Sequence, residues 1–182
     1  MPDPSRSRHS RLIKQIKYVM NKVSAAMHQS RHATSEHPVL AIDDVPIEQW
    51  LKSRLLDLTD EDTINGLVPA QGWLMDEDEL TIAWNLLTPV QMHSADPSIS
   101  TVVPLLICPD DMDLSCTVIV VEQTVDPENV TWKRFGLGRD SVNGIITSVQ
   151  WSVDGQSCQF ERPYFSAAVD ELKRLSSEVW GR

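Results

Sequence analysis

The chain is short of several things, and each shortage excludes something. Three cysteines in 182 residues, at 108, 116 and 158, are too few and too unevenly numbered for a disulfide scaffold, and a chain this long buries a core without staples. A reducing, cytoplasmic setting is expected. Long hydrophobic runs are missing too: the longest, Thr101 to Cys108 (TVVPLLIC), falls well below the ~20 residues that a membrane-spanning helix needs. Histidine is scarce where catalysis would want it, because positions 9, 28, 32 and 37 take four of the five and leave His93 alone in the remainder. A nucleophilic Ser/His/Asp or Cys/His set would have to use His93. It stands in TPVQMHSADPS beside Ser94 and Asp96, but neighbours in sequence do not make the spatial geometry of a triad. HExxH, CxxC and the twelve-residue calcium loop are absent, so neither a cofactor nor a metal is expected.

What is present begins with a divided charge. Residues 1–32 carry seven Lys/Arg against Asp3 alone, a local +6, while residues 33–182 hold nine basic and 25 acidic side chains, a local −16; together these make the net −10. A body of that sign is self-repelling and unsuited to phosphate or anionic lipid, so its natural macromolecular partner is basic. The leader places Leu12, Ile16, Val19, Met20, Val23 and Met27 at helical spacing with cations opposite, which predicts an amphipathic helix. It has no apolar core of the signal-peptide kind, and reads as a solvated arm, a helix laid on the acidic body, or a contact for nucleic acid or an anionic surface. The domain plan is therefore residues 1–37 as basic leader and polar joint, and residues 38–182 as a single acidic domain.

Along that body, Ile47, Trp50, Leu51, Leu55 and Leu58 share a helical face over Val45 to Leu58, with Asp43, Asp44 and Pro46 as an entry signal. Any helix from Asp60 is expected to be a single short one, since Gly66, Pro69 and Gly72 follow. In LTIAWNLL, Leu80, Ile82, Trp84 and Leu86 alternate with Thr81, Ala83 and Asn85, which predicts a half-buried strand. TVVPLLIC and LSCTVIVVE are apolar on both faces, with Pro104 marking an edge or a bulge. NVTWKRFG and GIITSVQWSV add strands, and Asp154-Gly155 reads as a hairpin turn from which SCQFER returns. PYFSAAVDELKRLSSEVW closes the chain as a helix with Phe165, Ala168, Val169, Leu172 and Val179 on one stripe and an Asp170–Arg174 pair on the surface. Strands joined by short links predict an α+β domain: a mostly antiparallel sheet of five or six strands with helices packed on one face.

Two patterns that suggest chemistry give way on inspection. CPDDMDLSC gathers Asp110, Asp111 and Asp113 in a hairpin loop, as a hard cation would want, but lacks the glycine and distal glutamate of the usual calcium motif. If residue 108 pairs with 114, Cys116 faces residue 106, and a bridge across the hairpin is not favoured. GLGRDSVNG, Gly136 to Gly144, has Ser141 where a dinucleotide fingerprint needs glycine, and reads as a long hairpin loop. The acidic runs remain: Asp60 to Asp62, Asp76, Glu77, Asp78 and Glu79, and Asp110, Asp111 and Asp113. Carboxylates on rigid turns imitate the phosphates of a nucleic acid and suit a basic cleft, with fast, salt-sensitive association. Trp73, beside the second run in QGWLMDEDE, is the candidate aromatic anchor.

PLLICPDDMDLSCTVIVVEQ and VTWKRFGLGRD, within residues 101–140, resemble the central strands of small bacterial immunity-type proteins, which neutralise a toxin made beside them. The aromatic-basic strand VTWKRFG is the most specific part of the likeness, and the basic leader departs from it. Such proteins act by occlusion, so the resemblance implies binding and carries over no catalytic residue. The expected function is a non-catalytic protein-binding module using Trp73 and the two acidic runs to engage a basic partner. The alternatives are a small hydrolase or metal-assisted enzyme built on His93 with Asp110, Asp111 or Asp113, and a regulator that touches nucleic acid or membrane through the leader.

Overall fold

A computed structural model describes residues 20–89, 99–154 and 156–181, and everything structural below concerns those residues. Two antiparallel sheets organise the chain. The small one joins β1 (Val23–His28), β2 (His37–Ile42) and β3 (Val45–Pro46) in that order. The large one runs β4 (Val68–Pro69), β5 (Thr101–Ile107), β6 (Val118–Val125), β7 (Asn129–Val142) and β8 (Ile145–Trp151), and β9 (Cys158–Glu161) also pairs with β7. In chain order α1 (Ile47–Leu51) and α2 (Glu61–Gly66) precede β4, α3 (Ala70–Trp73) and α4 (Glu77–Leu87) stand between β4 and β5, and α5 (Arg162–Trp180) follows β9. The α+β class with a six-stranded antiparallel sheet is as the sequence predicts.

Strand β6 shows why both sides of that sheet need cover. Ile119 and Val121 point into one cluster with Trp132, Phe135, Phe160 and α5's Phe165 and Leu172, while Val118 and Val120 point into another with Leu74, Leu80, Ala83 and Ile146. Side chains alternate across a strand, so a run apolar at every position buries both faces. The helices are accordingly divided, where packing on one face was expected: α5 and the small sheet cover one face, and α3 and α4 cover the other.

Several local expectations change. Leu80 to Leu87 is helical, not a strand. Asp76 caps it by accepting from the N–H groups of Asp78 and Glu79 at 2.9 Å each, and three acids in the first turn complement the helix dipole. Its buried residues are Leu80, Ala83 and Leu87, a helical stripe, and an alternating octet is too short to exclude that period. Val23 and Met27, expected on a leader helix, lie in β1, where Val23 pairs with Ile42 and Met27 with Pro38. β1 also packs on α5, so the chain is part of the fold well before residue 37. Met20, also expected on that helix, makes an isolated β-bridge to Gln159, and Leu12, Ile16 and Val19 lie outside the described residues.

Asp43 and Asp44 form a two-residue hairpin turn with φ of 52° and 65°, not a helix entry. Asp43 Oδ1 accepts the Lys22 N–H at 2.8 Å, and the helix behind them is cut to Ile47–Leu51. The segment GLGRDSV is strand and not loop: β7 runs to Val142 and turns through Asn143 and Gly144, both at positive φ, straight into β8. Asn-Gly is the favoured sequence for that turn. β8 and β9 do not pair as a hairpin across Asp154, for both lie antiparallel to β7, β8 along its second half and β9 along its first. The predicted surface pair of α5 is replaced, since Arg174 bonds Glu171 at 2.7 Å and also Glu178. Pro104 does mark a bulge, where the β5–β6 register shifts.

Candidate functional site

The two acidic runs, Asp76 to Glu79 and Asp110 to Asp113, lie far apart in sequence and meet in space. A backbone hydrogen bond from the Met75 N–H to the Met112 carbonyl, 3.0 Å, ties the segment before α4 to the β5–β6 loop. Asp76, Glu77, Asp78, Asp110 and Asp111 are exposed there, while Glu79 and Asp113 are half-buried. The crowding is felt at Glu79, whose carboxyl is held above its usual range first by burial and then by the charges of Asp76 and Asp113. One Glu79 oxygen is buried without a hydrogen-bond partner. Asp76, Asp78 and Glu79 also line a cleft of about 580 Å³ that is closed on the other side by Asn143 and Gly144 of the β7–β8 turn. Asp60 to Asp62, the remaining run, serves α2: Asp60 caps it through the Thr63 N–H at 2.8 Å, and Asp62 pairs with Arg31 at 2.7 Å.

Trp73 is half-buried and packs against other rings. Its ring lies edge-on to His37 at 5.4 Å and to Trp180 at 6.3 Å, and its indole nitrogen is buried with no acceptor among the described residues. Gly72 allows this joint, because a Cβ there would fall 2.2 Å from the Trp180 ring. The exposed apolar group beside the carboxylates is instead Met75, 62% exposed, which sequence reasoning passed over although it stands next to the acidic run.

The loop itself is braced from within. Asp113 Oδ1 accepts from both the N–H and the hydroxyl of Ser115, 2.7 Å each, and Met112 takes φ of 52° while its N–H reaches the Cys108 carbonyl at 3.1 Å. The β5–β6 ladder aligns Ile107 with Val118 and continues with the Cys108 N–H on the Thr117 carbonyl at 3.1 Å. Residue 108 therefore faces 117 and not 114, which brings Cys116 beside Cys108 where the predicted register had placed it opposite 106. Both thiols are free. The Cys116 thiol donates to Asp111 and meets Cys108, which pushes it up to about 11.

A second cluster was invisible in the sequence because its members come from β1, β2, α1 and the turn between the strands. Glu48, 1% exposed, accepts from His28 Nε2 at 2.6 Å. Ser30 Oγ lies 3.1 Å from His37 Nε2, and His37 Nδ1 lies 3.3 Å from the Ser35 carbonyl. With the Nδ1 proton on that carbonyl, Nε2 can only accept, and the single Ser30 hydroxyl proton is shared between it and Glu48 Oε1 at 3.4 Å, so the hydroxyl is not committed to one base. Ser30 and His37 are 2% and 1% exposed, so no substrate reaches the hydroxyl in this conformation. Burial pushes the Glu48 carboxyl up and the His37 imidazole down. His28 and Glu48 front a cleft of about 570 Å³ with Arg31, Lys52 and Asn65. His93, the histidine on which the enzyme alternative rests, lies outside the described residues.

No helix among the described residues is long and apolar enough to cross a membrane. Compared with known protein families, with curated proteins and with solved structures, the chain matches none, and its functional reading rests on its own geometry.

Proposed function

We propose that this chain is a non-catalytic protein-binding module whose acidic face, formed by the start of α4 and the β5–β6 loop, engages a basic surface on a partner protein. The observation that carries this reading is the Met75–Met112 hydrogen bond, which makes one surface of two acidic runs. Grouped carboxylates on a capped helix and a braced loop attract a cationic partner before contact and lose little side-chain freedom on binding. Met75 supplies an apolar contact at the rim of this face, beside the half-buried Trp73 expected as its anchor. Occlusion of a toxin's basic active site, as the immunity-type resemblance implies, is the finer form of the proposal, and three unbridged cysteines suit a reducing cytoplasm.

The test is cross-linked capture of the partner from the native cell, followed by binding kinetics at low and high salt. Asp78→Lys with Asp110→Lys should slow association at least about tenfold at low salt and flatten its salt dependence. Asp170→Lys with Asp154→Lys, exposed acids elsewhere, should leave association nearly unchanged. Equal effects of the two pairs would reduce the acidic face to bulk charge and sink the proposal.

A further inference from the structure

We propose that Cys108, Asp111 and Cys116 form a binding site for a borderline-soft divalent cation, zinc first, at the mouth of the β5–β6 hairpin. The inference goes beyond the protein-binding reading and stands without it. One ligand atom from each of these residues lies within 4.8 Å of the other two. In a tetrahedral zinc site, Zn–S of about 2.3 Å and Zn–O of about 2.0–2.2 Å put neighbouring ligand atoms ~3.5–3.8 Å apart. Closing the remaining gap takes about an ångström of side-chain movement, and Asp111 and Cys116 are exposed and free to make it. Cys108 is the fixed member, half-buried at the end of β5 and held by its N–H on Thr117.

The donor set chooses the metal. Two sulfurs disfavour magnesium and calcium, which want oxygen throughout, and a thiol pair with a carboxylate suits zinc or another thiophilic divalent ion. Three protein ligands leave a fourth position for water or for a group brought by a partner, and the exposure of Asp111 and Cys116 places that position toward solvent. The loop supplies the support that such a site needs: Asp113 is engaged by Ser115, and the Met112 N–H fixes the turn on the Cys108 carbonyl. Asp110 and Asp113 add negative potential around the ion. Binding replaces two S–H protons with two Zn–S bonds and releases the protons to solvent, with no change of oxidation state.

The full reduced chain should be titrated anaerobically with Co²⁺, which reports its ligands optically. One equivalent should raise a sulfur-to-cobalt charge-transfer band in the near ultraviolet and tetrahedral bands in the visible, and one equivalent of Zn²⁺ should erase both. Cys108→Ser and Cys116→Ser should each lower zinc affinity by more than the ~10–100-fold that loss of an outer-shell partner costs. Asp111→Asn should weaken binding yet keep the charge-transfer band, and Cys158→Ala, at a buried core thiol, should leave the metal bands unchanged. Cys116 is exposed, so its serine variant keeps the fold and a cooperative thermal transition confirms it. Zinc bound equally well by the Cys108→Ser/Cys116→Ser double variant would assign the ion to the carboxylates alone and overturn the site. So would a reduced protein that shows no charge-transfer band, or two thiols that close to a disulfide in air with zinc offering no protection. Each of these outcomes leaves the salt-dependent partner binding of the acidic face unaffected.

Discussion

The two faces of the large sheet are built from different materials. Beneath α5 and the small sheet, Trp132 stands edge-on to Phe135, Phe160 and Phe165 at centroid distances of 6.0, 5.1 and 5.7 Å, and all four are fully buried. Its indole N–H is satisfied by Gln123 Oε1 at 2.8 Å. Beneath α4 the cluster is smaller and mainly aliphatic, with Val68, Leu74, Leu80, Val118, Val120 and Ile146, and the acidic face lies directly over it. The aromatic side concentrates area and specific ring geometry, so it carries more of the stability. On the aliphatic side, Trp73, Trp84 and Trp151 pack half-buried at the margin, and the first turn of α4 above it presents acids to solvent. One face holds the fold and the other displays it.

Substitutions that separate the faces sharpen this contrast. The largest effect should follow deletion of residues 1–32, which removes β1 from the aromatic side and leaves β2 without its antiparallel partner along six residues; loss of the cooperative thermal transition is the expected outcome. A truncated chain that still melts cooperatively would make β1 an ornament of the fold. Next, Trp132→Ala should cost about 3–5 kcal/mol in urea unfolding, since it empties the aromatic cluster and strands the Gln123 carbonyl. On the other face, Leu80→Ala, at a site 8% exposed, should cost about 2–3 kcal/mol. A larger loss there than at Trp132 would reverse the ranking of the two sides.

Acid titration probes the aromatic side through its margin, where His37 and Glu48 act with opposite signs. His37 is held below its ordinary 6.5 by burial, so the unfolded chain binds the proton better and stability falls as pH drops below about 6.5. Glu48 is held above its ordinary 4.5 by burial, so the folded chain binds the proton better and stability falls as pH rises above about 4.5. Between pH 6.5 and 4.5 the two oppose each other. Glu48→Gln should therefore steepen the loss of stability on acidification in that window, and His37→Gln should reverse it, as read from urea midpoints along a pH series. The smallest effect belongs to the acidic face. Glu79→Gln removes a carboxylate crowded by Asp76 and Asp113 and should stabilise the protein by up to about 0.5 kcal/mol at neutral pH.

Sequence reasoning succeeded where one element carries its own signal. α5 shows a long stripe with Pro163 in its first turn, β5 and the first half of β6 are apolar on both faces, and the helix expected from Asp60 is a single short one. It failed where two periods fit the same residues. Leu80 to Leu87 satisfies both, and the Asp76 cap that decides the matter belongs to a run read as surface charge. It failed again at Asn143-Gly144, a strong hairpin signal overlooked in favour of Asp154 and its neighbour. Of the candidate site, the carboxylates were legible and their convergence was not, because it depends on the Met75–Met112 bond between distant segments. The Cys108–Cys116 approach depended on a register that shifts at the Pro104 bulge, and the grouping of His28, Ser30, His37 and Glu48 needed three elements to fold first.

The shared edge of β7 also bears on how the protein can be taken apart and rebuilt. The chain leaves that edge after Trp151 and rejoins it at Cys158, and each piece is held to β7 by its own ladder. Asp57 secures the departure by accepting from the Ser152 hydroxyl at 2.7 Å and the Val153 N–H at 2.9 Å. Extra residues placed after Asp154 would lengthen a detour between two anchored strands, with no hairpin to pry open. Closing such a loop costs only about 0.6 kcal/mol for each doubling of its length, so a reporter or a whole inserted domain can ride at this point while the acidic face and both cores stay as they are.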